Sequence, residues 1–206
     1  MTGANDDKEM LMLPRVQETV DTIASERSRF ERFCRSLSDD ELLRPVPQSS
    51  WLVKDFVSHL ATIDGPITAW FGSLGSGAGG AWPGGDSGEA WDVDRYNDRE
   101  VEQRRDQTVD QILAEAAGQR EALIAVMARL TDEQLDSTIH FGGDSKRPPS
   151  DIQFARYLQG WSLHDALHVA DMIKALPERR ADPAVAAWLA EPRVKAMIGY
   201  YQAAMA

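Results

Sequence analysis

His164 and His168 stand four residues apart in the stretch Tyr157-Leu-Gln-Gly-Trp-Ser-Leu-His-Asp-Ala-Leu-His-Val-Ala-Asp-Met-Ile173. Residues at that spacing share one helix face, with Cβ atoms roughly 5–6 Å apart. Two imidazoles so placed can grip one metal ion, as in other helical His-x-x-x-His sites. Leu163, Leu167, Ala170 and Ile173 mark a neighbouring apolar face of the same segment. The competing reading is a pair of surface or core histidines with no ligand. His59, beside Phe56, Val57 and Leu60, is the third candidate. Alone, a histidine on an apolar face is more often a satisfied core residue than a ligand. Set against His164 and His168 it completes a three-His site. Three protein ligands leave one coordination position for water or substrate, the pattern of catalytic rather than closed structural sites.

Asp55 lies four residues before His59 and Asp171 three after His168, so each shares its histidine's helix face. Both are candidates to accept the distal imidazole N–H, which orients a ligand and raises its basicity. The alternative for each is a solvated helix carboxylate. Asp165 falls on the opposite side of its helix from both histidines. Asn97 and Arg104 read as surface helix residues, His140 as a loop residue outside the site, and Trp161 as core packing one turn before His164. Cys34 has no identifiable base beside it and reads as a small core or surface residue rather than a nucleophile.

The elements that must position these residues are helical. Pro14 suits the first turn of a helix running to about Leu37, with Val16, Val20, Ile23, Phe30 and Phe33 at near-helical spacing. Ser38-Asp-Asp-Glu41 fits a capping box for a short turn, ended by Pro45 and Pro47. Ser50 caps a second helix carrying His59, which Gly65-Pro66 kinks or divides. Residues 72–90 form a glycine-rich loop without the Gly-Lys-Ser/Thr of a phosphate loop, and read as a mobile flap near the site. Residues 91–105 are polar and partly helical. Thr108-Val-Asp-Gln111 opens a third helix through Leu130, and Thr131-Asp-Glu-Gln134 repeats the Ser38 pattern, an echo that suggests two related helical hairpins. Ser150 and Gln153 read as the capping box of a fourth helix running to about Ala175. Pro183 and Pro192 start two short further helices. No strand is expected. The fold class is therefore an all-α four-helix bundle over residues 1–176, with residues 177–206 a C-terminal helical extension of the same domain.

A length of 206 residues suits one domain, and 43% hydrophobic residues suffice for a sizeable core. A net charge of −11 argues against nucleic acid or an anionic membrane as a partner. No apolar run approaches the ~20 residues of a spanning helix. The polar, acidic N-terminus is not a signal peptide, and a single cysteine forms no internal disulfide, so a cytoplasmic protein is expected.

Trp51-Leu-Val-Lys-Asp-Phe-Val-Ser-His59-Leu60 resembles the W-(S/T)-x-(K/R)-(D/E)-x-(L/V)-x-H-L segment of DinB-like proteins, which include the metal-binding domain of mycothiol-dependent maleylpyruvate isomerases. The His164-to-Ile173 segment resembles their H-x-x-x-H-x-x-(D/Q)-I segment. The resemblance spans roughly residues 13–176. It implies a bundle in which His59, His164 and His168 bind a divalent metal, zinc or nickel foremost, with a low-molecular-weight thiol such as mycothiol, bacillithiol or glutathione as cosubstrate. It allows a homodimer. The isomerases commonly carry Glu at the position matching His164, so this chain resembles the three-His branch, and no sizeable second domain is expected after residue 176. The leading expectation is a metal-dependent thiol S-transferase or isomerase acting on a small electrophile. A hydrolase or resistance enzyme that activates water, and a non-catalytic metal- or small-molecule-binding bundle, are the alternatives.

Overall fold

Cap chemistry sets most of the helix starts in the computed structural model, which describes residues 12–74, 92–141 and 149–204. Pro14 opens α1 (Pro14–Arg35), where its missing N–H costs nothing. Ser38 and Glu41 close a reciprocal capping box on α2 (Asp39–Leu42). The helices α3 (Val53–Thr62), α4 (Asp64–Ser73) and α5 (Val93–Gln103) follow. Thr108 with Gln111 caps α6 (Val109–Met127), and Thr131 with Gln134 caps α7 (Asp132–Asp136). A hairpin, β1 (Thr138–Phe141) and β2 (Ser150–Gln153), precedes α8 (Phe154–Trp161) and α9 (His164–Ala175). A 3-10 turn (Pro177–Ala181), α10 (Pro183–Leu189) and α11 (Pro192–Ala204) complete the order. Four helical columns result: α1, α3 continued by α4, α6, and α8 continued by α9. The fold is an all-α four-helix bundle with short additional helices at its C-terminal end.

Four expectations need correction. The chain does contain strands. Thr138–Phe141 pairs antiparallel with Ser150–Gln153, placing Ile139 opposite Ile152. Ser150 and Gln153 therefore form no capping box; their segment is extended, and α8 begins only at Phe154. The fourth column is not one helix, because Ser162 and Leu163 separate α8 from α9. The second helix starts at Val53, not after Ser50: Pro45 bridges Leu52, and Asp55 accepts the Leu52 N–H at 2.8 Å. Of the glycine-rich stretch, Gly72 and Ser73 close α4; residues 75–91, and with them the flap, lie outside the described residues.

The division at Gly65-Pro66 has a chemical cause. Pro66 has no N–H to offer the Thr62 carbonyl four residues back. The Tyr96 hydroxyl donates to that carbonyl instead, at 3.3 Å. The last turn of a helix leaves carbonyls without helical partners, and here side chains supply them.

The core lies in two halves along the bundle. One half gathers Phe30, Phe33, Phe56, Val57, Leu60, Ile112, Ala116, Ala166, Val169 and Met172. The other gathers Val16, Val20, Ile23, Ile67, Trp70, Phe71, Leu123, Met127, Phe154 and Leu158. Between the halves each column contributes one buried charged residue: Arg27, Asp64, Arg120 and Asp165. Val185, Trp188 and Val194 bury against the first half, so α10 and α11 share the bundle's core. Trp188 Nε1 donates to Glu26 at 2.6 Å.

Arg179 ties the turn after α9 to α2, with bonds to Glu41 at 2.6 and 2.7 Å and to the Ser36 carbonyl at 2.9 Å. The guanidinium bonds hold the Glu41 carboxyl at about 2, against an ordinary value of 4.5. A depressed carboxyl contributes stability above its ordinary pKa that is lost as pH falls through the folded one. Arg179→Ala is thus expected to cost about 1.5–3 kcal/mol at pH 7, a deficit that shrinks as pH falls from 4.5 towards about 2. Urea unfolding of both chains at pH 7 and pH 2.5 measures it, and an equal deficit at both would refute the assignment.

Candidate metal centre

His59 sits in the last turn of α3, and His164 opens α9 with His168 one turn on. Their ring nitrogens include a set, one from each residue, all within 4.8 Å of one another. His164 Nε2 and His168 Nε2 are 3.1 Å apart. Donors bound at about 2.0–2.1 Å to one ion lie no more than roughly 4 Å apart. The pair is already within that reach, and His59 needs only a small side-chain closure. Three histidines presenting nitrogen from two facing helices fit a divalent ion of the zinc type.

Burial decides their protonation. His59 is 4% exposed and His168 9%, while His164 is half-buried. Burial, followed by the nearby His168, pushes the His59 imidazole well below its ordinary range. Burial likewise pushes His164 well down, reinforced by the other two rings and by Arg120 and Arg27. Both are neutral at pH 7, each with a lone pair to give. His168 Nδ1 lies 3.2 Å from Asp171 Oδ2, and Lys174 donates to Asp171 Oδ1 at 2.7 Å. An ionised carboxylate only accepts, so Nδ1 carries the proton and Nε2 carries the lone pair. Burial opposes the charge on Asp171, but the bonds from His168 and Lys174 outweigh it and lower its pKa.

Aromatic rings enclose the cluster. Trp51 lies 5.3 Å from the His59 ring, Phe56 lies 5.4 Å from His168, and Trp161 stacks on His164 at 4.5 Å and 16°. Trp161, read from sequence as core packing, does pack against the second core half, and its ring also walls the site. Trp51 also borders an open pocket of about 230 Å³ with Ser50, Asp55, Asp98, Val101, Glu102 and Arg105. Its indole donates to Asp98 at 2.8 Å.

The two carboxylates expected behind the histidines part company. Asp171 stands against His168. Asp55 does not serve His59: it is taken by the Leu52 N–H, because α3 starts at Val53 and its first turn has free N–H groups to satisfy. Among the described residues, neither His59 Nδ1 nor Asn97 Oδ1 has a hydrogen-bond partner; both atoms are buried. The nearby Asn97 side chain favours the charged form of His59, against the larger opposing effect of burial. Asn97 and Arg104, read as surface residues, are both buried, and Arg104 pairs with Glu100 at 3.0 Å and with Glu115. The missed signal was Val101, one turn after Asn97, which marks a buried face of α5. Asp165 does lie away from the histidines, but in the bundle interior, 3.1 Å from Arg27. His140 pairs across the hairpin with Asp151 at 2.7 Å and is outside the cluster. Cys34 is buried, and burial raises its thiol well above the ordinary range.

A sequence model of the DinB superfamily matches residues 22–172. Two solved structures resemble the fold: the mycothiol-dependent maleylpyruvate isomerase, at TM-score 0.55 and 13% identity, and a histidine-to-alanine mutant of that isomerase, at TM-score 0.54 and 10% identity. Each alignment covers 78% of this chain and 61% of the other, so the chain spans less than two thirds of those proteins. At such identity the likeness concerns the fold. No curated protein matches the sequence significantly. Among the described residues, no helix is long and apolar enough to cross a membrane.

Proposed function

The chain belongs to the DinB superfamily, which matches it over residues 22–172, and from that premise we propose that it is a divalent-metal-dependent enzyme, a transferase or isomerase that joins a small cellular thiol of the mycothiol type to a small electrophile. The observation that carries the reading is the cluster of His59, His164 and His168, whose donor nitrogens lie within 4.8 Å of one another. Zinc or nickel suits that donor set. An ion held there by three neutral donors keeps its full positive charge, which favours thiolate over thiol in an incoming ligand.

The chain's own part is to hold and orient. Asp171 fixes the proton on His168 Nδ1, so that Nε2 faces the other two rings. Burial keeps His59 and His164 unprotonated. Trp51, Phe56 and Trp161 limit water around the rings and offer apolar faces to a second reactant. Holding sulfur and electrophile together in that enclosure lowers the entropic part of the barrier. Likeness of fold to a mycothiol-dependent isomerase supports the choice of thiol over water as the activated ligand.

Titration of the cobalt-loaded protein with mycothiol, bacillithiol and glutathione tests the reading. A sulfur-to-cobalt absorption band and electrophile consumption that requires the thiol are expected. No band, with turnover that proceeds without thiol, would favour a water-activating hydrolase; a metal that binds without any turnover would favour a binding protein. Asp171→Ala is expected to weaken metal binding about 10–100-fold, measured by competition with a chromophoric chelator; unchanged affinity would remove Asp171 from the site.

A further inference from the structure

The four buried charges between the core halves are not arranged as two independent pairs. Arg27 Nε and Nη2 reach the two oxygens of Asp165, at 3.1 Å each. The same Nη2 donates to the Leu60 carbonyl at 3.0 Å. Arg120 continues the chain, with Nε 2.6 Å from Asp64 and Nη2 3.6 Å from Asp165. Leu60 directly follows His59, and Asp165 directly follows His164. One guanidinium from α1 therefore holds both histidine-bearing helices, each at the residue next to a donor. The Leu60 carbonyl lies in the last turn of α3, where helical partners run out. Guanidinium is the group suited to this task, since its planar fork bonds two acceptors at fixed angles.

We propose that Arg27 is a positioning residue for the histidine cluster: by bonding Leu60 and Asp165 together it fixes the separation of α3 and α9 at which His59 meets His164 and His168. The inference rests on the metal-binding reading of that cluster. Arg27 touches no ring nitrogen in this role. It sets where the two backbones stand, and a displacement of the order of 1 Å is enough to spoil a site of this kind.

The experiment compares wild type with the double variant Arg27→Met/Asp165→Leu. It removes one buried ion pair whole and leaves Arg120 paired with Asp64, so no buried charge is stranded. Replacing a buried pair by apolar side chains is often neutral for stability. Urea unfolding of the metal-free chains is therefore expected to be similar for both. Cobalt affinity, by contrast, is expected to fall about 10–100-fold, and the visible spectrum of bound cobalt to change as ligand geometry loosens. Arg27→Lys keeps the charge but not the fork, and is expected to lose affinity to an intermediate extent; it carries the test if the double variant does not fold. Cobalt bound with wild-type affinity and spectrum by either folded variant overturns the inference alone. A wild-type chain that binds no cobalt overturns the metal reading itself, and the inference with it.

Discussion

A chain with His168 replaced by alanine is expected to bind zinc, nickel or cobalt more than ~100-fold more weakly than wild type. Loss of an outer partner already costs about 10–100-fold, and His168 is the donor with the most complete surroundings. It faces His164 at 3.1 Å and its other nitrogen is held by Asp171. Removing it leaves two donors on different helices and a carboxylate with only Lys174 as partner. His59→Ala and His164→Ala are expected to act in the same direction. Metal content after dialysis, together with chelator competition, measures all three. Full occupancy in any one of them would exclude that histidine from the ligand set.

Metal loading is expected to raise the melting temperature by roughly 5–11 °C at a free metal concentration of 100 Kd. A ligand that binds only the folded chain contributes about 2.7 kcal/mol there. Each kcal/mol shifts Tm by about 2–4 °C at this size. The sign of the pH dependence follows from the imidazoles. Burial pushes His59 and His164 well below their ordinary range. In the unfolded chain they take up protons below about pH 6.5. Above that both states are neutral at these rings and no proton is linked to folding. Below it the unfolded state binds protons that the fold refuses, so the histidines' contribution to stability falls with pH. Protons compete for the same lone pairs as the metal, so the metal-dependent increment also shrinks as pH drops through the depressed values. Asp64 and Glu26, raised by burial, titrate with the opposite sign. The increment is therefore read as the difference between loaded and metal-free protein. Calorimetry from pH 8 to pH 5 checks it; a Tm indifferent to metal at pH 8 would defeat the expectation.

Much of this was legible in the sequence, and for identifiable reasons. Capping boxes are local, so Ser38, Thr108 and Thr131 announced their helices correctly. The histidine pair at i,i+4 is local too. Ser150 and Gln153 misled because the same two residue types serve a strand that must cover Ile139, a contact set by pairing rather than by spacing. Asp55 misled because the start of α3 depends on the bridge between Pro45 and Leu52. Asn97 was hidden by the polar composition of α5. The charged layer was hidden more deeply. Arg27, Asp64, Arg120 and Asp165 each look like solvated helix charges alone, and only their common level in the bundle makes them partners.

The burial of Cys34 bears on how the protein can be handled. Its sulfur is enclosed in the first core half and held as the unreactive thiol. The chain thus has no exposed sulfhydryl of its own to form a mixed disulfide with an added thiol. Ellman's reagent in the native state should report only the thiol supplied and not the protein. Any sulfur signal that develops on cobalt during a titration then comes from outside the polypeptide.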